Sequence, residues 1–130
     1  MRSIDTNVLV RWITRDDDEQ AAAADRVLVG PTYVPLTVMM ETAWILAGSR
    51  YGFGRAVLAE TLLAVVDTET VHVPSRAGVR WAIERFSKGA DLADALHLVA
   101  SAGADAFTTF DRRLARQVGP DTPLPVELLA

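Results

Sequence analysis

The chain has 130 residues, half of them hydrophobic, and a net charge of −4. That length fits one domain with a substantial core, and the apolar content excludes a disordered chain. The absence of cysteine excludes disulfides, thiolate nucleophiles and zinc–sulfur sites.

No apolar run reaches the roughly 18 residues that a membrane span needs. The opening Met1-Arg2-Ser3-Ile4-Asp5 has an acid where a signal peptide has its apolar stretch, so a cytoplasmic location is the default expectation. The acidic balance argues against a broadly basic nucleic-acid binder. It is compatible with a nucleic-acid enzyme, because acidic metal ligands lower the total charge while a basic rim persists. Twelve of the thirteen basic residues are Arg, with Lys88 alone, and Arg suits bidentate phosphate contacts.

In chain order, Arg2 to Asp5 is a short strand candidate and Thr6 to Thr14 a helix. Asp16-Asp17-Asp18-Glu19 suits the first turn of a second helix, where negative charge is favoured. That helix runs to Val29, and Gly30-Pro31 stops it. Thr32 to Pro35 reads as a second strand. Leu36 to Ser49 is a long helix with Met39, Thr42, Ala43 and Leu46 on one face. After a loop at Arg50-Tyr51-Gly52-Phe53-Gly54, Arg55 to Val66 is helical and Thr68 to Val73 a third strand. Pro74-Ser75 opens a helix with Val79, Ala82, Ile83 and Phe86 inward, and Lys88-Gly89 ends it. Asp91 to Ala102 is the best-defined helix, with Leu92, Ala95, Leu96 and Val99 facing the core and Gly103 as its stop. Ala104 to Thr109 reads as a buried fourth strand. Asp111 to Val118 is a short helix, and Leu124 to Leu129 a last strand. The alternation implies an α/β sandwich with a parallel sheet, in one domain over 1–130.

Four acids stand out because each interrupts or ends an apolar stretch: Asp5, Glu41, Asp94 and Asp111. A buried carboxylate is costly unless paired or bound to metal, and four converging on one point suit a divalent cation. Asp5 and Asp111 follow strands, and open parallel sheets bind ligands beyond the carboxyl ends of their strands. Asp94 lies in the first turn of the helix feeding the fourth strand, and Glu41 must arrive from a neighbouring helix. Each also has a plainer reading. Asp5 and Asp111 are equally readable as helix N-caps, and Asp91 with Asp94 as a capping pair. Glu41 is mid-helix, where capping does not apply, which leaves a partly exposed side chain as its plain reading.

Taken together, these positions resemble those of PIN-domain ribonucleases. Ile4-Asp5-Thr6-Asn7-Val8-Leu9 resembles their first motif, Asp91-Leu92-Ala93-Asp94-Ala95-Leu96 the third, and Thr108-Thr109-Phe110-Asp111-Arg112-Arg113-Leu114 the fourth. Glu41, in Met40-Glu41-Thr42, falls where the family's helical glutamate is expected. Length and compactness look most like the VapC-type toxins of bacterial toxin–antitoxin pairs. The resemblance implies a PIN-like three-layer sandwich, with a central, mainly parallel sheet of four to five strands flanked by helices. It implies Mg²⁺ or Mn²⁺ dependence, an RNA substrate, homodimerisation and a VapB-like antitoxin partner. By motif position Asp5, Glu41, Asp94 and Asp111 carry over as catalytic and metal-binding acids, with Asp91 as an outer acid. Thr6, Asn7 and Thr109 match supporting polar positions, and Asn7 or Thr109 is expected to hold a carboxylate or a metal-bound water. On this reading a metal-activated water hydrolyses the phosphodiester, with the ion also polarising the scissile phosphate.

Arg112, Arg113, Arg85 and Lys88 are candidate RNA contacts, against the plain reading of a solvated charged surface. His97 reads first as a packed, hydrogen-bonded side chain, with proton transfer or phosphate contact as the alternative; His72 reads as structural. Trp12, Trp44, Tyr51 and Phe53 are candidates for a protein interface or for the core. Two rival functions stand beside the nuclease. One is a PIN-like interaction module with a dead site. The other is a receiver-like signalling domain, which would want an acid after the third strand where Val73-Pro74-Ser75 stands.

Overall fold

A computed structural model describes residues 1–130, which fall into two compact units, Met1–Arg76 and Ala77–Ala130. The first contains β1 (Arg2–Ser3), α1 (Thr6–Thr14), α2 (Asp18–Leu28), β2 (Thr32–Tyr33), α3 (Leu36–Ala47), α4 (Arg55–Asp67) and β3 (Val71–His72). Its strands form a parallel sheet in the order β1-β2-β3, with Arg2 opposite Thr32 and Tyr33 opposite His72. Parallel neighbours cannot be joined by a tight hairpin, so each connection carries helices.

Pairing extends slightly past each strand: Ile4 N–H donates to Tyr33 O (3.2 Å) and Val34 N–H to His72 O (2.9 Å). The strands are nevertheless shorter than the apolar runs suggest. Pro35 is already the N-cap of α3. At the third strand, the Thr68 hydroxyl bonds back to Ala64 O (2.8 Å) and Val71 N–H closes a turn onto Thr68 O (3.0 Å). Residues 68–70 therefore finish a helix end rather than begin a strand.

Helix α3 buries Val38, Met39, Thr42, Ala43 and Leu46, which includes the whole expected face. Helix α4 packs against α3 and buries Leu58, Ala59, Leu62, Val65 and Val66. Leu46 and Leu62 have no exposed surface, and truncating such a leucine to alanine costs about 2–5 kcal/mol.

The second unit holds α5 (Arg76–Ser87, starting at the last residue of the first unit), α6 (Leu92–Ala100), β4 (Phe107–Thr109), α7 (Arg112–Gln117) and β5 (Val126–Leu128). Strands β4 and β5 pair in parallel, Phe107 opposite Val126 and Thr109 opposite Leu128. Leu98, Leu114, Val118 and Leu124 form a core cluster, against which Trp81, Phe107 and Val126 pack. The five expected strands and the α/β class are thus present, with the strands divided into sheets of three and two.

The connection from α5 to α6 positions Asp91. Gly89 adopts φ 116°, its N–H donates to Phe86 O (3.0 Å), and Ala90 N–H reaches Arg85 O (3.0 Å). This paired closure ends the helix through a left-handed residue that glycine tolerates. Ala90 is buried, and Asp91 follows at once as the N-cap of α6. Three expectations need correction here. Helix α6 ends at Ala100 with Ser101 as its cap, so Gly103 is not the stop. Phe86 is only half-buried on α5. Strand β4 is short and alternates half-buried, exposed, half-buried, because its second-unit sheet has only two strands and one side chain in two faces outward.

Candidate active site

Three of the sequence-selected acids begin helices. Asp5 accepts from Val8 N–H (3.1 Å) and caps α1. Asp91 accepts from Asp94 N–H (2.9 Å) and caps α6. Asp111 accepts from Arg113 and Leu114 N–H (2.9 and 3.1 Å) and caps α7. The capping reading is therefore realised. It does not exhaust these residues, because each cap uses Oδ1 alone and leaves Oδ2 without a hydrogen bond. Asp5 follows β1 and Asp111 follows β4, each at the carboxyl end of a strand in its own unit's parallel sheet, the end at which such sheets bind ligands.

The premise that all four acids are buried is incorrect. Asp5, Glu41 and Asp111 are exposed, and Asp94 alone is half-buried. Helix starts and an outward helix face keep these carboxylates hydrated, so the desolvation argument applies to Asp94 alone.

In the first unit, Asp5 and Glu41 line one cavity of about 390 Å³ together with Thr6, Asn7, Val38 and Ile45. Thr6 is buried and Asn7 exposed. Glu41 presents its carboxylate from mid-α3 without a hydrogen bond or ion pair. In the second unit, burial pushes the Asp94 carboxyl above its ordinary range, and the negative charges of Asp91 and Asp111 push it further. His97 works in the opposite direction. None of the chain's ion pairs involves Asp5, Glu41, Asp91, Asp94 or Asp111. Unneutralised carboxylates are donors of the kind that suit a hard cation such as Mg²⁺ or Mn²⁺. Neither unit by itself gathers three acidic or histidine side chains into a ready-made cage; Mg²⁺ bound through one or two carboxylates keeps several waters.

The supporting residues separate. Thr109 Oγ1 accepts from Asp111 N–H (2.9 Å), so it fixes the backbone that carries the acid, not a carboxylate. Arg112, Arg113 and Lys88 are exposed. Arg85 is half-buried with an unpartnered buried Nε. Its Nη1 lies 3.0 Å from where a Cβ on Gly119 would stand. It packs against that turn and is not a free surface cation. His97 is exposed, contrary to the packed reading, because α6 turns Leu96 and Leu98 inward on either side of it. His72 also points outward from β3.

Two features escaped the sequence. Asp16 stands outside the helix it seems to open; Asp17 is the actual N-cap. The Asp16 carboxylate accepts from Tyr51 Oη, Thr14 Oγ1 (2.8 Å), Arg11 Nη1 (3.0 Å) and Arg50 Nη2 (2.8 Å). The Tyr51 hydroxyl above all, with Thr14, Arg11 and Arg50, holds it down at about 2 against the opposing effect of burial. This network ties α1 to the loop at 50–51 and makes Tyr51 structural. The second feature is Phe110, 75% exposed directly before Asp111. Period-two alternation beyond Phe107 could have flagged it.

The chain is a small α/β protein whose strand ends and helix starts carry carboxylates outside any ion pair. Compared with known families, residues 3–119 match the PIN domain. The chain therefore belongs to the PIN-domain family, whose members are generally nucleases that use divalent metals such as Mg²⁺. The match spans residues of both units. No curated protein matches the sequence significantly. No helix is long and apolar enough to cross a membrane.

Proposed function

We propose that this chain is a metal-dependent endoribonuclease acting as one domain over 1–130, and the toxin of a toxin–antitoxin pair, in the cytoplasm. The observation that carries the nuclease reading is the set of carboxylate oxygens left without a cation at Asp5, Glu41, Asp94 and Asp111 in a PIN-domain chain. The toxin assignment, a VapB-like antitoxin partner and a homodimer rest on the motif resemblance and the chain length.

In this reading Asp5 and Asp94 are the principal ligands of Mg²⁺ or Mn²⁺, and Glu41 and Asp111 complete the shell or hold waters. The ion, when bound, activates water and polarises the scissile phosphate. The capping bonds hold each Asp5 and Asp111 carboxylate through Oδ1 and leave Oδ2 available to a ligand. Thr109 fixes the backbone beneath Asp111. In this reading Asn7, which lines the same cavity as Asp5 and Glu41, holds a water beside them. Arg112, Arg113 and Lys88 offer charge to the RNA backbone, and Asp91 adds negative charge that draws a cation toward Asp94.

Purified protein incubated with single-stranded RNA is expected to cleave it with Mg²⁺ or Mn²⁺ present, to stop in EDTA, and to resume when the ion is restored. Cleavage that persists undiminished in EDTA would overturn the metal-dependent reading. Failure to cleave RNA with either ion, together with negligible Mn²⁺ binding, would favour the inactive interaction module.

A further inference from the structure

We infer that Phe110 is a stacking platform for an unpaired base of the RNA, so that the substrate must present a single-stranded base beside the bond that is cut. The inference rests on the nuclease reading above and deepens it. Phe110 is 75% exposed, directly after β4, against a half-buried Phe107 at the start of that strand. An exposed phenyl ring offers its face and edge to whatever packs on it.

Its setting indicates what covers it. The preceding Thr109 hydroxyl accepts from Asp111 N–H, and Asp111 accepts from Arg113 and Leu114 N–H. The backbone on the C-terminal side of Phe110 is therefore held by three hydrogen bonds, and the ring is presented from an ordered turn. Directly beyond Asp111 stand Arg112 and Arg113, both exposed and without an acidic partner. An aromatic face, a carboxylate and two unpaired guanidinium groups within four consecutive residues match a nucleotide: base, metal-bound phosphate and backbone charge. The two guanidinium groups beside the ring favour a polyanion over an uncharged protein surface. Single-strand-binding proteins combine stacking aromatics with basic side chains in this way, and every base offers a π-face. In a duplex both faces of an internal base are already stacked, so the ring discriminates against paired RNA.

The test compares wild type, Phe110→Ala, Phe110→Leu and Phe110→Trp. The probe is a single-stranded RNA oligonucleotide carrying 2-aminopurine, with a duplex of the same sequence beside it. Affinity is read by fluorescence anisotropy and stacking by 2-aminopurine quenching, with Mg²⁺-dependent cleavage measured in parallel. The alanine and leucine variants are expected to bind the single strand about tenfold more weakly, within the range found for base–aromatic stacking, and to lose the quenching. The tryptophan variant restores both, and duplex binding does not change across the series. Because leucine keeps apolar bulk, a merely structural role would be rescued by it while stacking would not. If wild type binds and cleaves RNA but the alanine and leucine variants match it, the stacking inference is overturned and the nuclease reading stands. If they change self-association and leave RNA affinity intact, the ring is a protein contact and the inference is overturned. If wild type neither binds nor cleaves, the reading beneath it fails first.

Discussion

Asp94→Asn is expected to reduce metal-dependent RNA cleavage by about 100-fold or more, beyond the ~10–100-fold typical of losing an outer-shell partner. It is also expected to raise the melting temperature slightly in metal-free buffer near neutral pH. Most substitutions destabilise, so the second half is the unusual one. It follows from the sign of the Asp94 shift. Burial, then Asp91 and Asp111, raise its folded-state pKa above the ordinary value of 3.8. The stability associated with its protonated form is full below that ordinary value and is lost as pH rises through the raised one. At neutral pH the folded chain therefore carries an uncompensated charge that asparagine removes. The carboxylate also lies in the first turn of α6, where the helix dipole favours it, and this limits the gain. The gap between wild type and variant should close as pH falls to the ordinary range. Mg²⁺ should raise the melting temperature of wild type and leave the variant unmoved, because binding to the folded form alone stabilises it. A thermal-shift series across pH, with and without Mg²⁺, checks each part. A variant that melts lower than wild type at neutral pH would contradict the electrostatic reading of Asp94.

Asp5 allows structure and chemistry to be separated, because asparagine caps helices about as well as aspartate. Asp5→Asn is expected to keep the bond from Val8 N–H and to melt like wild type, yet to lose cleavage on the order of 100-fold or more by the same comparison. Asp5→Ala should lose cleavage and also about 1 kcal/mol of stability with the cap. Asp17 is the matched control. It caps α2 by the same bond, from Gln20 N–H at 2.9 Å, and occupies no motif position. Asp17→Ala should lose stability by a similar amount and leave cleavage intact. Denaturant unfolding and a cleavage assay on the same preparations check the set. Wild-type cleavage by Asp5→Asn would reduce Asp5 to a cap.

Local rules made much of this chain readable in advance. The face of α3 follows from Met39, Thr42, Ala43 and Leu46, and the end of α5 from Lys88-Gly89. Apolar flanks drew out the four acids, and their order along the chain resembles the family's motifs. What was not legible depends on distant partners. Asp16 is set by Arg50 and Tyr51, 34 and 35 residues away, and no neighbouring residue signals that bond. The burial of the acids was misread because an apolar flank in sequence says nothing about which way a helix start faces. His97 shows the same effect on α6, with buried Leu96 and Leu98 on either side of an exposed imidazole. Strand ends were overrun at Thr68 and Pro35, where a side-chain bond or a following helix takes over from the ladder.

Calorimetric titration of Mn²⁺ into metal-free wild type, Asp5→Asn and Asp94→Asn reaches the core of the proposal most directly. The two substituted residues belong to different units of the chain. Saturable binding by wild type that is lost in both variants is the predicted result. Binding that survives either substitution unchanged would contradict a shared ion and leave these carboxylates as helix caps and surface charge.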